Sequence, residues 1–210
     1  MKGLTELQSE ILRRFFDRRT EFFLTGGAAL VGFYLGHRHT HDLDLFTDGG
    51  SLDEGVRALR EIAAELGLAI ETVRRDPAFQ RFLVRGPGES LIVDLVRDEV
   101  PQLAAKEIVR GVRVDSAQEI LANKLCALLS RVEVRDLVDV MVLEESGLDP
   151  IAALPAAAAK DAGVTPSQLA WVLSSFPIPE TDLPGGVSPA DLRRFRDDLM
   201  RRLAAAAFPA

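Results

Sequence analysis

Residues 36–46 read GHRHTHDLDLF, and the stretch ends by alternating aspartate with apolar side chains. This alternation predicts a strand in which Asp42 and Asp44 share one face, while the leucines between and after them anchor the other face in the core. Aspartate is a poor strand former, and two carboxylates on one face repel each other. A divalent cation such as Mg²⁺ or Mn²⁺ offsets this repulsion, because these ions prefer oxygen ligands. We therefore predict that Asp42 and Asp44 are metal ligands.

A third aspartate, Asp94, interrupts the apolar run LIVDLV at residues 91–96. A buried carboxylate without a partner is costly, so we expect this side chain to be paired or bound to metal. If its strand lies near the strand of Asp42, three carboxylates converge and can hold two ions about 3.5–4 Å apart. The sequence thus predicts a metal site formed by Asp42, Asp44 and Asp94.

A glycine pair precedes these aspartates, in the run FFLTGG at residues 22–27. The apolar part of the run predicts a short buried strand, and the small apolar residues 28–35 predict a helix that follows directly. Glycine allows close backbone approach, and the N–H groups of a helix start favour anionic phosphate. Gly26 and Gly27 are therefore candidate phosphate-binding residues, although an ordinary tight turn has the same sequence pattern.

The remaining pattern predicts an α+β half followed by a helical half. Helices are expected at residues 5–19 and 51–66, the second with a capping box of Ser51 and Glu54. Further strands are predicted at 68–73, 79–85 and 90–96, with a short hairpin at 108–114. We place the domains at 1–115, an α+β part, and 116–210, a helical C-terminal part.

The composition excludes several classes of protein. The 210 residues carry a net charge of −7, which disfavours broad non-specific binding to nucleic acid but allows a local basic groove. No apolar run reaches the roughly 18 residues of a membrane span, and the first residues lack the apolar segment of a secretory signal. The single cysteine, Cys126, excludes an internal disulfide and fits a reducing compartment. We expect a cytoplasmic protein without membrane contact.

Several of these residues match a known pattern position by position. The run GGAAL at residues 26–30 and the run at 36–46 resemble the AbiEii/AbiGii toxin family of the DNA polymerase β-like nucleotidyltransferase superfamily. That pattern has a Gly-Gly turn, then an arginine, a serine or threonine, and an Asp-x-Asp ending in an aromatic residue. The matching positions here are Arg38, Thr40, Asp42, Asp44 and Phe46. The resemblance implies a polymerase β-like core in residues 1–115, with a mixed sheet and flanking helices.

Lys124 stands within an otherwise apolar helical stripe of Ile120, Leu121, Leu125 and Leu128. A lysine in such a stripe either has a partner or extends its stem to water. The run LANKLCAL at residues 121–128 is similar to the family's lysine motif, which implies that Lys124 binds the phosphates of a nucleotide. The alternative is that Lys124 neutralises a buried carboxylate.

A helix is predicted at residues 136–145, and the run at residues 131–140 resembles the last motif of the family, with Asp136 as its functional carboxylate. The structural alternative is that Asp136 only caps a helix while Arg135 and Asp139 form an i,i+4 pair. The run His37, His39 and His41 suggests a transition-metal site, but three histidines on one strand face lack tetrahedral geometry, and we expect no zinc there. Trp171 is expected in the core.

Together the motifs predict a metal-dependent nucleotidyltransferase that moves an NMP group from an NTP to an acceptor. The resemblance further implies a toxin of a toxin–antitoxin or phage-defence system, with an antitoxin partner and RNA, tRNA or protein as acceptor. Two alternatives are nucleotidylation of a small molecule, such as an antibiotic, and a non-catalytic module that binds a nucleotide or a partner. The candidate catalytic residues are Asp42, Asp44, Asp94 and Asp136, and the candidate nucleotide-binding residues are Gly26, Gly27, Arg38, Thr40 and Lys124.

Overall fold

The structure is a computed structural model that describes residues 3–208, which divide into two compact units. The first unit comprises residues 3–100 and Ala105–Ser116, and the second comprises Pro101–Ala104 and residues 117–208. The two predicted domains, 1–115 and 116–210, stay a prediction. Within residues 3–208, no helix combines the length and the apolar composition that crossing a membrane requires.

The first unit is a mixed seven-stranded sheet with helices, which confirms the predicted α+β class. Its helical elements are α1 (Glu6–Phe16), α2 (Gly26–Ala29) with a π-helical turn directly after it (Leu30–Leu35), and α3 (Leu52–Glu65). Its strands are β1 (Phe22–Thr25), β2 (Asp42–Thr47), β3 (Ala69–Arg75), β4 (Phe79–Gly86), β5 (Glu89–Arg97), β6 (Glu107–Val109) and β7 (Val112–Val114).

The strands lie in the order β3-β4-β5-β2-β1-β7-β6. Strand β2 runs parallel to β5 and β1 runs parallel to β7, while the other neighbouring pairs are antiparallel. Edge strand β3 is largely exposed, and its pairing with β4 shifts register between Thr72 and Arg74. In β2, alternate residues are buried, so the predicted core face of Leu43 and Leu45 is confirmed.

Aromatic rings fill the core beneath helices α1 and α3. The rings of Phe15 in α1 and Phe22 in β1 meet edge to face, with centroids 5.3 Å apart and planes at 86°. Gly55 of α3 lies directly over the Phe22 ring. The capping box predicted for α3 is wrong, because Ser51 precedes the helix without a side-chain cap hydrogen bond. The Oε2 atom of Glu54 instead lies 3.7 Å from Nη1 of Arg19.

The second unit is helical, as predicted. It contains α4 (Ala117–Ser130), α5 (Val134–Glu145), α6 (Leu154–Lys160), α7 (Pro166–Ser174), a 3₁₀ turn (Pro184–Gly186) and α8 (Pro189–Ala207). Helix α4 is its centre and contacts α5, α6 and α7, while α8 packs on α5 and α7. Trp171 of α7 is 70% exposed, so its predicted place in the core is wrong.

A buried ion pair also organises the second unit. Glu119 of α4 is fully buried and pairs with Lys160 at the end of α6. Its other carboxylate oxygen accepts hydrogen bonds from the backbone N–H groups of Leu103 and Ala104, at 3.1 and 2.9 Å. These bonds explain why residues 101–104 belong with the helices that follow them in the chain.

Gly55→Ala tests the packing of α3 on the sheet. Alanine normally stabilises a helix interior by about 1 kcal/mol relative to glycine. Here the new β-carbon would lie 2.6 Å from the Phe22 ring, and overpacking costs about 1–3 kcal/mol. We expect a net fall of about 1 kcal/mol in the free energy of unfolding, measured in urea. Gly49→Ala is the control, since nothing lies within 4 Å of its β-carbon; equal effects would contradict the packing.

Candidate active site

A row of polar side chains crosses four neighbouring strands of the sheet. Thr25 of β1 pairs with Asp44 of β2, Asp44 pairs with Asp94 of β5, and Asp94 pairs with Arg81 of β4. Paired positions point to the same side of a sheet, and neighbouring strands lie about 4.8 Å apart. Asp42 precedes Asp44 by two residues and faces the same side. The three predicted carboxylates therefore converge on one face.

The glycine turn approaches the same place from the end of β1. Gly26 has a φ of +64°, and a β-carbon there would overlap the Oδ2 atom of Asp44. At Gly27, a β-carbon would lie 2.9 Å from Nη2 of Arg38 and 3.4 Å from Oγ1 of Thr40. Both glycines are needed because side chains of the candidate site occupy the space that a β-carbon would take. The structure thus brings five predicted site residues together.

The segment between the π-helical turn and β2 is held by Gln8, a residue that the sequence analysis missed. Gln8 forms a capping box with Thr5 at the start of α1, and its Nε2 donates to the carbonyl oxygen of Thr40 at 2.9 Å. Arg38 donates from Nη1 to the carbonyl oxygen of His39 at 3.0 Å. The spacing Thr5-x-x-Gln8 is the recognisable signal for the cap. The three histidines lie in this irregular segment rather than on a strand.

Asp94 is bound by an arginine that the sequence analysis also missed. Arg81 donates from Nε to Oδ1 at 2.8 Å and from Nη2 to Oδ2 at 2.7 Å. This fork uses both carboxylate oxygens, the strongest form of such a pair. The hydrogen bonds to Asp94 raise the pKa of Arg81, burial opposes them, and the charges of Asp42 and Asp44 add to the rise. All three aspartates therefore act on one guanidinium.

The donor set suits a hard cation in part. Asp42 and Asp44 offer carboxylate oxygens from one strand face, the ligand type of Mg²⁺ and Mn²⁺. In residues 3–208, however, no three His, Cys, Asp or Glu side chains are already grouped as a metal-binding cluster. Both carboxylate oxygens of Asp94 accept hydrogen bonds from Arg81. Asp42 and Asp44 are the carboxylates of this row that do not take part in the Arg81 fork, and their placement two residues apart on β2 suits a shared cation.

A buried network anchors the residue before the glycine turn. Asp115, which is almost fully buried, accepts a hydrogen bond from Oγ1 of Thr25 and pairs with Lys106. The ammonium group of Lys106 lies 4.1 Å from the centroid of the Phe23 ring. Tyr34 donates to the backbone carbonyl of Asp115 at 2.8 Å. The end of β1 is therefore held by the carboxylate of Asp115, whose charge Lys106 compensates. The sequence pattern did not predict this contact.

The second unit contains the other candidate residues as a separate buried cluster. The Nζ atom of Lys124 lies 2.7 Å from Oδ1 of Asp136 and 2.6 Å from Oδ2 of Asp139. Arg131 donates from Nε to Oδ2 of Asp136 at 2.8 Å. Both aspartates are completely buried. This is the contact expected if Lys124 neutralises a buried carboxylate, and its predicted binding of phosphate stays a prediction.

Asp136 is not the cap of its helix, because the N-cap of α5 is Glu133. Burial alone would raise the pKa of Asp136, but Lys124 and Arg131 outweigh burial and hold the pKa below its ordinary value. The carboxylate is therefore ionised, and its charge is compensated within the second unit.

The fold of this chain is similar to that of solved proteins. The structure resembles JHP933 from Helicobacter pylori, with a TM-score of 0.63 and 19% identity over 95% of this chain and 91% of that one. It also resembles MenT4, a nucleotidyltransferase toxin from Mycobacterium tuberculosis, with a TM-score of 0.56 and 15% identity over 95% and 86% of the two chains. At these identities the likeness is one of fold. No curated protein sequence matches the chain.

The family model described as nucleotidyl transferase AbiEii toxin, type IV toxin–antitoxin system, matches residues 10–210. The chain is a nucleotidyltransferase. It belongs to the AbiEii toxin family, which confirms the resemblance found in the sequence.

Lys124→Met tests the buried cluster. Removing one partner of a buried ion pair costs about 3–5 kcal/mol, so we expect a fall of that size in the free energy of unfolding at pH 7. The pKa of Asp136 is depressed in the folded state. Its stabilising contribution is therefore present above the ordinary carboxyl pKa and lost as the pH falls through the folded value. The difference in the free energy of unfolding between the variant and the wild type should therefore become smaller at acidic pH.

Urea unfolding at pH 7, 5 and 3 measures this difference. The control is the double variant Lys124→Met with Asp136→Asn, which removes the charges of Lys124 and Asp136 together and should be more stable than Lys124→Met alone. A Lys124→Met protein as stable as the wild type at pH 7 would contradict the structural role.

Proposed function

We propose that this nucleotidyltransferase moves an NMP group from an NTP to an acceptor hydroxyl, with a divalent cation held by Asp42 and Asp44. The observation that carries the proposal is the convergence of the glycine turn with the row of carboxylates. The Oδ2 atom of Asp44 fills the space beside Gly26, and Asp94 is its neighbour on β5. Backbone N–H groups that favour phosphate thus stand beside carboxylates that favour a cation.

The residues around Gly27 suit a triphosphate. Arg38 supplies a planar cation whose Nη2 atom lies next to the backbone of Gly27, and Thr40 supplies a hydroxyl group at the same point. Bidentate donation from an arginine is well matched to phosphate oxygens. We assign Gly26, Gly27, Arg38 and Thr40 to binding and orienting the NTP.

Asp94 acts on the acceptor. In the reaction, a bond forms between the acceptor oxygen and the α-phosphorus, the bond to pyrophosphate breaks, and the hydroxyl proton is lost. A carboxylate at Asp94, once free of Arg81, can accept a hydrogen bond from that hydroxyl group and take its proton. Asp42 and Asp44 would hold the Mg²⁺ or Mn²⁺ ion, which would supply charge neutralisation for the attacking oxygen and the leaving pyrophosphate.

The family resemblance also assigns Lys124 to the phosphates of the nucleotide and Asp136 to catalysis. Both lie in the second unit and bind each other there. Calorimetric titration of Lys124→Met with an NTP and with a nucleoside tests the assignment. If Lys124 contacts phosphate, the free energy of NTP binding should weaken by on the order of 1.5–3 kcal/mol, while nucleoside binding should stay unchanged. Equal binding of NTP by the folded variant and the wild type would leave Lys124 with its structural role alone.

We further propose that the protein acts in the cytoplasm as the toxin of a toxin–antitoxin pair, with tRNA as its acceptor and a separate antitoxin as its partner. The family's description as a type IV toxin–antitoxin system supports the toxin role. The cytoplasmic assignment is supported by a single cysteine and by the need for NTP.

A first prediction concerns the cation. Mn²⁺ with an NTP should raise the melting temperature of the wild type, because a ligand that binds only the folded state stabilises it. Asp42→Asn combined with Asp44→Asn should remove this rise without unfolding the protein. Asp48→Asn, an exposed aspartate just beyond β2, is the matched control and should keep it. A full rise in the folded double variant would rule out these two residues as metal ligands.

A second prediction concerns the reaction. With each α-labelled NTP in turn, the wild type should transfer label to total tRNA, while the Asp42→Asn, Asp44→Asn variant should transfer none. Asp94→Asn should bind NTP but lose transfer by at least 10²-fold, the lower range for a general base. Parallel reactions with protein and small-molecule acceptors separate the tRNA proposal from its alternatives. Wild-type turnover by Asp94→Asn would contradict its role.

A further inference from the structure

The pair formed by Arg81 and Asp94 joins two side chains of very different exposure. The side chain of Asp94 is 7% exposed, whereas that of Arg81 is 44% exposed. Asp94 therefore depends on this guanidinium for its neutralisation, because a buried carboxylate without a counter-charge is costly. Arg81 has no equivalent dependence, since water can solvate it.

Arg81 and a divalent cation would need the same atoms. The guanidinium binds both oxygens of Asp94, and Asp94 lies beside Asp44 in the sheet register. A divalent cation shared by Asp44 and Asp94 would stand within a few ångströms of the guanidinium, and like charges at that distance repel strongly outside bulk water. Both cations cannot occupy the site together with these contacts intact.

Arg81 also has another favourable contact on its own strand. Its guanidinium carbon lies 5.5 Å from the centroid of the Phe79 ring, within the range of a cation–π interaction. Phe79 is two residues away in β4 and on the same face. Release of Asp94 would therefore leave the guanidinium with an aromatic neighbour and with water, at a modest cost.

We infer that Arg81 is a positioning residue that competes with a divalent cation for Asp94, so that Asp94 becomes a metal ligand only when the cation displaces the guanidinium. The inference rests on the proposed function, because it takes Asp42 and Asp44 as the other ligands. In the metal-free protein Arg81 stabilises the carboxylate row, and in the loaded protein it is released toward Phe79 and solvent.

Mn²⁺ binding to Arg81→Gln tests the competition without any measurement of activity. Loss of the ion pair should raise the affinity for Mn²⁺, measured from the electron paramagnetic resonance signal of the free ion, by on the order of tenfold or more, the equivalent of one charge-assisted hydrogen bond. The metal-free variant should melt below the wild type, and Mn²⁺ should restore most of the difference. A purely structural role for Arg81 predicts the same destabilisation without restoration by Mn²⁺.

Arg85→Gln is the matched control. Arg85 lies on the same strand and forms an exposed ion pair with Glu71 at 2.9 Å, so its loss should leave Mn²⁺ affinity unchanged. Arg81→Lys is a second variant that keeps the charge but loses the fork, and it should give an intermediate gain. Unchanged Mn²⁺ affinity in both Arg81 variants would overturn the inference.

Failure of the inference is distinguishable from failure of the proposed function. If Asp42→Asn with Asp44→Asn abolishes Mn²⁺ binding while Arg81→Gln does not improve it, the metal site stands and the competition is wrong. If Mn²⁺ binding is unaffected by the double aspartate variant, the proposed metal site itself is wrong. A gain in Arg81→Gln that disappears on adding Asp94→Asn supports the competition.

Discussion

The parallel register of β2 and β5 is the constraint on which the candidate site depends. It sets Asp44 directly beside Asp94, so the sheet brings two like charges together on one face. Such a pairing is unfavourable unless a cation stands near it. In this structure Arg81 provides that charge from the next strand, and the glycine turn leaves room for the Asp44 carboxylate. The paired carboxylates of the site are thus electrostatically unfavourable, and Arg81 on the neighbouring strand offsets this cost.

Local patterns in the sequence predicted much of the architecture. The alternation at Asp42 and Asp44 shows which face each side chain occupies because strand periodicity needs no distant partner. Gly26 is similar, since its positive φ belongs to a turn that the surrounding residues already indicate. Arg81 was not predictable, because its pairing with Asp94 depends on the register of two strands. The exposed position of Trp171 was missed because helical periodicity does not show which face finds a partner.

Lys124 shows the limit of motif-based assignment. The sequence indicated a cation in an apolar stripe, which is compatible with a ligand contact and with a buried partner. Its partners Asp136 and Asp139 lie on a different helix. The apolar stripe of one helix does not predict which residues of another helix pack against it. Together with the pair of Glu119 and Lys160, these contacts make the second unit a helical bundle with neutralised charges in its interior. Such pairs constrain which helices can pack together, because a misplaced helix would leave a buried charge alone.

The shifted register at the edge of the sheet has a consequence for the behaviour of the protein in concentrated solution. Strand β3 presents seven residues along an exposed edge, where unpaired backbone groups could recruit a strand from another molecule. The irregularity between Thr72 and Arg74 disturbs the regular spacing of those groups, and the two consecutive arginines at the end of the strand place charged side chains on the edge. The edge is therefore a poor template for intermolecular sheet growth, which protects a seven-stranded sheet from aggregation.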